Sequence, residues 1–199
     1  MKYSITMIDG RPFIHDGQGL FLLDTFLGNS FSRTGKIMFA GQEHTCPTEG
    51  LIETSESLSC EYKTDICGVI SMDILGDYVV LLDMQQGELI VNPDVTPDRI
   101  SGVVEASPTI AHVSIAGQPV SVALCTGMKT TYLFSDFVKT LEMESASAPI
   151  NVCFSHKGKS WTEECMITPR YKFCEKGIAG VVGMELLNHF SVLLARERK

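Results

Sequence analysis

Residues 180–195 read GVVGMELLNHFSVLLA, and residues 68–83 read GVISMDILGDYVVLLD. The two stretches align without a gap. Gly68/Gly180, Val69/Val181, Met72/Met184, Leu75/Leu187, Val80/Val192, Leu81/Leu193 and Leu82/Leu194 are identical, and Ile70/Val182, Asp73/Glu185, Ile74/Leu186 and Tyr78/Phe190 are conservative. Seven identities and four near-identities in 16 positions exceed what two unrelated amphipathic stretches share. Upstream, Ile8, Gly10 and Pro12 recur as Ile115, Gly117 and Pro119, and Leu23-Asp24-Thr25 recurs as Leu124-Cys125-Thr126. Three anchors in one order mark two copies of a single unit. The copies differ in length between anchors. The first holds six extra residues between Pro12 and Asp24, and the second 11 extra before its closing Gly-Val motif.

Each copy reads as β-rich. Phe21-Leu22-Leu23 and Val120 to Leu124 are short apolar runs that suit buried strands. Ile150 to Phe154 and Trp161 to Ile167 flank the turn-rich His156-Lys157-Gly158-Lys159, which predicts a hairpin; Tyr78 to Leu82 and Ser191 to Leu194 are further strands. Helices are expected over Met72 to Gly76, Met184 to His189 and Asp136 to Glu142, with Ser135 as cap of the last. Pro93, Pro97 and Pro108 place a linker between the copies, which divides the chain into 1–92, a linker 93–109, and 110–199.

Composition narrows the function classes. The chain has 199 residues, 44% hydrophobic and only 20% charged, with a mean hydropathy of +0.13, enough apolar material for a core. Sixteen basic against 24 acidic residues give a formal charge of -8, which argues against a nucleic-acid partner. No apolar run reaches the roughly 18–20 residues that span a bilayer, so no membrane association is expected. The N-terminal ten residues lack the apolar core of a secretory signal. Seven cysteines (Cys46, Cys60, Cys67, Cys125, Cys153, Cys165, Cys174) at irregular spacing then read as reduced thiols of a cytoplasmic protein. There is no C-x-x-C, and the one tight pair of metal-ligating types is His44 and Cys46, so neither metal nor cofactor is expected.

An apolar strand running into Asp-Thr-Gly, followed later by Gly-(Ile/Val)-(Ile/Val)-Gly-Met-(Asp/Glu)-x-Leu and another apolar strand, resembles the pattern of retropepsin-like and pepsin-like aspartic proteases. The first copy carries it over Leu20 to Ser30 (LFLLDTFLGNS) and Gly68 to Leu82, the second over Val120 to Leu133 (VSVALCTGMKTTYL) and Gly180 to Leu194. The resemblance implies an all-β, two-lobed fold with a pseudo-twofold axis and a cleft between the lobes. Each lobe would set one Asp-Thr-Gly turn at the cleft floor, and the threonines Thr25 and Thr126 would lock each turn to the opposite lobe's backbone. An extended peptide or protein segment would lie in the cleft and bond through its main chain, with Gly41 to Tyr62 and Ile150 to Ile167 as the flap-like segments the resemblance implies.

The sequence departs from that pattern at two positions. The family's chemistry requires two carboxylates close enough to share a proton, one activating water and the other polarising the scissile carbonyl. Asp24 stands at the first position, but Cys125 stands at the second, and a neutral thiol with one heteroatom cannot fill that role. Phe26 replaces the first motif's glycine, whereas Gly127 is kept in the second. The expectation is an aspartic-protease homologue without peptidase activity, its cleft lined by Asp24, Thr25, Phe26, Cys125, Thr126 and Gly127. Two alternatives stand beside it: hydrolysis by Asp24 with another carboxylate (Asp9, Asp16, Asp65 or Asp73), or a purely architectural protein whose cleft Phe26 closes. Cys125 as a nucleophile would need a base from among His15, His44, His112, His156 and His189, none of which sits in a recognisable local signature. Asp16 reads more simply as part of a turn, and Asp73 as a helix start. Trp161 reads as a strand or interface residue, and Met72 and Met184 as core.

Overall fold

The computed structural model describes residues 1–26, 28–93, 103–106, 109–141, 149–172 and 174–194. The chain is mainly β with a few short helices. In the second copy, β11 (Ile110–Ile115), β12 (Gln118–Leu124), β16 (Ile178–Val182), β13 (Thr131–Phe134), β15 (Lys159–Thr168) and β14 (Ile150–His156) pair in that spatial order. β14 pairs back onto β11 and β11 onto β12, so six strands close into a barrel with no free edge. The β14–β15 hairpin falls where the sequence predicts it. Both its strands are tied to barrel neighbours, Ile115 opposite Phe154 and Thr131 opposite Cys165, so it is a wall of the barrel rather than a free-standing flap.

The first copy uses the same strands differently. β1 (Lys2–Ile8), β2 (Arg11–His15), β3 (Leu20–Leu23), β7 (Ile66–Ile70) and β4 (Phe31–Ser32) pair in that order, while β5 (Lys36–Phe39) and β6 (Gln42–Thr45) form a separate hairpin. The six extra residues explain the difference. In the second lobe one continuous strand, β12, leads to Cys125; in the first, the turn at Asp16-Gly17-Gln18-Gly19 splits that path into β2 and β3. Asp16 Oδ1 accepts from the backbone N–H of Gln18 and Gly19, which fixes the turn as the sequence suggests. The turns before β2 and β12 match: Asp9-Gly10 and Ala116-Gly117 both have positive φ at each residue, the geometry of a two-residue hairpin turn.

The first glycine of the repeat has a packing reason. β7 and β16 lie parallel to β3 and β12 on one side and antiparallel to β4 and β13 on the other. A Cβ at Gly68 would come within 2.9 Å of Ser32 Cα, and one at Gly180 within 2.9 Å of Leu133 Cα. Only glycine lets the neighbouring backbone approach so closely. After each of these strands comes a single helical turn, α2 (Met72–Leu75) and α4 (Met184–Leu187), then β8 (Val80–Asp83) and β17 (Ser191–Leu194). Leu75 and Leu187, equivalent in the repeat, are both fully buried.

The lobes join through β8 and β17, antiparallel, with Val80 opposite Leu194 and Asp83 opposite Ser191. Leu81 lies opposite Leu193, its own equivalent in the repeat, so the register of this pair of strands is symmetric about these two residues. The stretch 93–109, read as a linker, contains β10 (Val103–Ala106), and 94–102 and 107–108 lie outside the described residues. β10 flanks β17 in parallel, and β9 (Glu88–Val91) flanks β8 antiparallel, so the connection between the copies supplies a strand on each side of the junction. One apolar cluster runs through both lobes, from Phe39 and Leu82 to Val192 and Leu124.

Three local expectations need correction. The segment Gly41 to Tyr62 holds β6 and an α-helix, α1 (Ser55–Tyr62), capped reciprocally by Thr54 and Ser57. The third predicted helix is α3 (Ser135–Thr140), whose N-cap position is Phe134; Ser135 is its first helical residue and not the cap, and the expected end at Glu142 lies outside the described residues. The strand expected from Tyr78 begins at Val80, because Tyr78 is still in the turn that ends α2 and its amide bonds Leu75 O.

Candidate functional site

Asp24 directly follows β3 and Cys125 directly follows β12, the equivalent points of the two copies. The Asp24 amide donates to Ile70 O at 3.0 Å, and the Cys125 amide to Val182 O at 2.9 Å, and these acceptors are themselves a repeat pair. The threonines then cross. Thr25 Oγ1 donates to Leu124 O at 2.9 Å and Thr126 Oγ1 to Leu23 O at 2.7 Å. In return, each hydroxyl accepts the other's amide, Thr25 N to Thr126 Oγ1 at 3.1 Å and Thr126 N to Thr25 Oγ1 at 3.2 Å. Each hydroxyl donates to one buried group and accepts from another, so four groups that burial would leave unpaired are satisfied by two side chains. The lobes are locked turn to turn.

This lock brings Asp24 and Cys125 together. Cys125 Sγ lies 3.7 Å from Asp24 Oδ1, the thiol donating to the carboxylate, and the two residues are 5% and 1% exposed. Asp24 Oδ1 also accepts from the Phe26 amide at 2.8 Å. Burial, and then the charge of Asp24, push the Cys125 thiol well above its ordinary range. It is therefore a neutral donor through acid and neutral pH.

Positions 26 and 127 differ as the sequence says. A Cβ at Gly127 would lie 2.6 Å from Asp24 Cγ and closer still to Oδ2, so the carboxylate occupies the space a side chain at 127 would need. Phe26 is half-buried and packs against an apolar cluster of the second copy made of Ala123, Cys125, Phe134, Ile178 and Val181.

The other acids raised from the sequence are engaged elsewhere. Asp9 pairs with Lys129 at 3.7 Å, Asp65 with Arg33, and Asp73 accepts from Ser30; Asp16 holds its own turn and the Met38 amide. Sequence reasoning missed Glu53. It sits just before α1, half-buried, and its carboxyl is held above the usual carboxylate range by burial first and by the charge of Asp24 next. Only the fold brings Glu53 near Asp24, since 29 positions of chain with no motif separate them. Beside it, Leu51 and Ile52 are 91% and 82% exposed.

Of the histidines, His15 Nδ1 accepts from Gly17, His44 Nε2 bonds Tyr78 Oη at 3.2 Å, His112 Nδ1 bonds Ser121 Oγ at 3.0 Å, and His189 lies against Trp161. Trp161 also meets Phe190 edge-on at 4.8 Å, a packing role in the barrel. His156 and His112 line an open depression of about 480 Å³ on the second lobe, with neither Asp24 nor Cys125 in its wall. Among the described residues no group of three or more His, Cys, Asp or Glu could hold a metal ion, and His44 and Cys46 form no such group.

No family model and no curated protein sequence matches the chain. Among solved structures, the chain is similar over part of its length to the crystal structure of a retropepsin-like aspartic protease from Rickettsia conorii. The match covers 41% of this chain and 69% of that one, at 16% sequence identity and a TM-score of 0.33, a partial and distant likeness to a retropepsin-like fold.

Proposed function

We propose that the chain is a two-lobed aspartic-protease homologue that does not hydrolyse peptides and instead binds an extended peptide or protein segment between its lobes. The observation that carries the first half is the thiol of Cys125 standing 3.7 Å from Asp24, where hydrolysis needs a second carboxylate. A carboxylate pair works because like charges at that range hold one proton between them, leaving a base for water and an acid for the carbonyl. A thiol held neutral by burial offers neither a shared proton nor two oxygens. The binding half is supported by Leu51 and Ile52, two adjacent apolar side chains left exposed just before Glu53; a docked segment would bury them. We place the protein in the cytoplasm, without nucleic acid, membrane or cofactor as partner; its seven free cysteines accord with a reducing compartment.

Glu53 favours a second reading, in which it serves as the missing acid and Asp24 as the base. Phe26 favours a third, in which the packed ring closes the cleft and the fold is purely architectural. One experiment separates the three. Wild type, Asp24→Asn, Glu53→Gln and Cys125→Asp are incubated with a mixed peptide library from acid to neutral pH. Cleavage is read by mass spectrometry, and retention of library members by gel filtration. Retention without cleavage in wild type is the expected result. Cleavage lost in both Asp24→Asn and Glu53→Gln supports the second reading, and neither cleavage nor retention the third.

A further inference from the structure

We infer that the side chain at position 26 is what excludes a carboxylate at position 125, so that Phe26 and Cys125 form one coupled pair rather than two independent departures from the motif. The inference uses the near-exact exchange of the two turns. Their amides bond equivalent carbonyls at 3.0 and 2.9 Å, and their threonine hydroxyls cross at distances that agree within about 0.2 Å. In the half of the site made by Asp24 and Gly127, the carboxylate fills the space of a side chain at 127, a Cβ there falling 2.6 Å from Asp24 Cγ. The pseudo-twofold axis maps that half onto the one made by Cys125 and Phe26. There a Cβ exists. An aspartate at 125, in the conformation Asp24 adopts, would put its carboxyl carbon and one oxygen into the Cβ of Phe26.

A cysteine escapes the conflict because it has one heavy atom to place beyond Cβ, where aspartate has three. The phenyl ring adds a second barrier. It packs against the apolar cluster of Ala123, Cys125, Phe134, Ile178 and Val181, and a carboxylate at 125, buried as Cys125 is, would lie beside the buried Asp24 with its hydration removed. The cause is thus steric first and electrostatic second. The inference rests on the degenerate-pair reading of the site, yet it concerns packing, so it can fail while the protein still proves inactive.

A stability cycle tests it. The variants are Phe26→Gly, Cys125→Asp and their combination, with Cys125→Asn replacing Cys125→Asp in a parallel cycle that adds no charge. The readout is the midpoint of thermal unfolding at pH 7. In the wild-type background Phe26→Gly removes a packed ring and lowers the midpoint, by about 5 °C or more. In the Cys125→Asn and Cys125→Asp backgrounds the same substitution raises it, because relieving the overlap outweighs the lost ring. This reversal of sign is the expected result, and a single variant that does not fold but is rescued in the double variant counts as the same outcome. A loss of similar size in all backgrounds, or double variants that also fail to fold, overturns the coupling.

Discussion

The two turns at the centre of the molecule share a backbone and differ in what they hold. Asp24-Thr25-Phe26 and Cys125-Thr126-Gly127 exchange four hydrogen bonds in matched pairs, yet each lacks a different element of the Asp-Thr-Gly pattern. Because each turn's third residue packs against the other turn's first, both departures fall in one half of the site. Position 24 faces Gly127 and keeps the intact geometry; position 125 faces Phe26 and has lost it. The difference teaches that scaffold and chemistry separate cleanly here. The threonines, which join the lobes, are intact in both halves, and only the acid and the space it needs are missing from one.

The largest test of the comparison lies in the core. Leu75 and Leu187 are repeat partners, both fully buried under β8 and β17. Leu75→Ala and Leu187→Ala should each cost about 2–5 kcal/mol in denaturant unfolding. Similar costs support one duplicated unit; a several-fold difference would show that the closed barrel and the open lobe are stabilised by different means.

Next come the threonines. Thr25→Val or Thr126→Val leaves a buried carbonyl and a buried amide without a partner, and each should cost about 1–3 kcal/mol. The double variant should cost less than the sum, because loss of either hydroxyl lets the two turns draw apart and weakens the bonds the other still makes. Additive costs would break the reciprocal lock. Gly127→Ala should cost a comparable amount, about 1–3 kcal/mol by overpacking against Asp24, and Asp24→Gly should rescue part of it.

Smaller still, within any one pH unit, is the effect of the buried thiols at alkaline pH. Burial holds Cys165 up at about 12 and Cys125 well above its ordinary value, while the unfolded chain's thiols ionise near the ordinary thiol range. The folded state therefore binds more protons between about pH 9 and 12, so stability is full below pH 9 and falls as pH rises, by at most about 1.4 kcal/mol per pH unit per thiol. Cys165→Ala should flatten that slope in denaturant titrations. The partly exposed Cys46 of the first lobe should contribute far less, and an unchanged slope in Cys165→Ala would contradict the assignment.

Much of this was legible in the residues. The repeat marked the strands, the helical turns and the equivalence of Asp24 with Cys125, because the packing around Gly68 and Gly180 and beneath Leu75 and Leu187 restricts those positions to few residue types. The β5–β6 hairpin was hidden because its turn is Ala40-Gly41, with alanine at a positive φ where asparagine or aspartate would have signalled the turn. α1 was hidden because only Leu58 and Tyr62 show helical spacing among serines, a cysteine and glutamates. β10 fell inside the stretch read as a linker, and β9 went unread, because their partners lie in the junction between the copies, a feature of tertiary structure with no local pattern. Glu53 stayed invisible for the same reason.

The most direct measurement is peptide cleavage by the unaltered chain and by Asp24→Asn, side by side from pH 3 to 7. The account predicts two indistinguishable traces at the buffer background, since a lone carboxylate beside a neutral thiol has no proton-sharing partner. Cleavage by the unaltered chain that Asp24→Asn abolishes would contradict it.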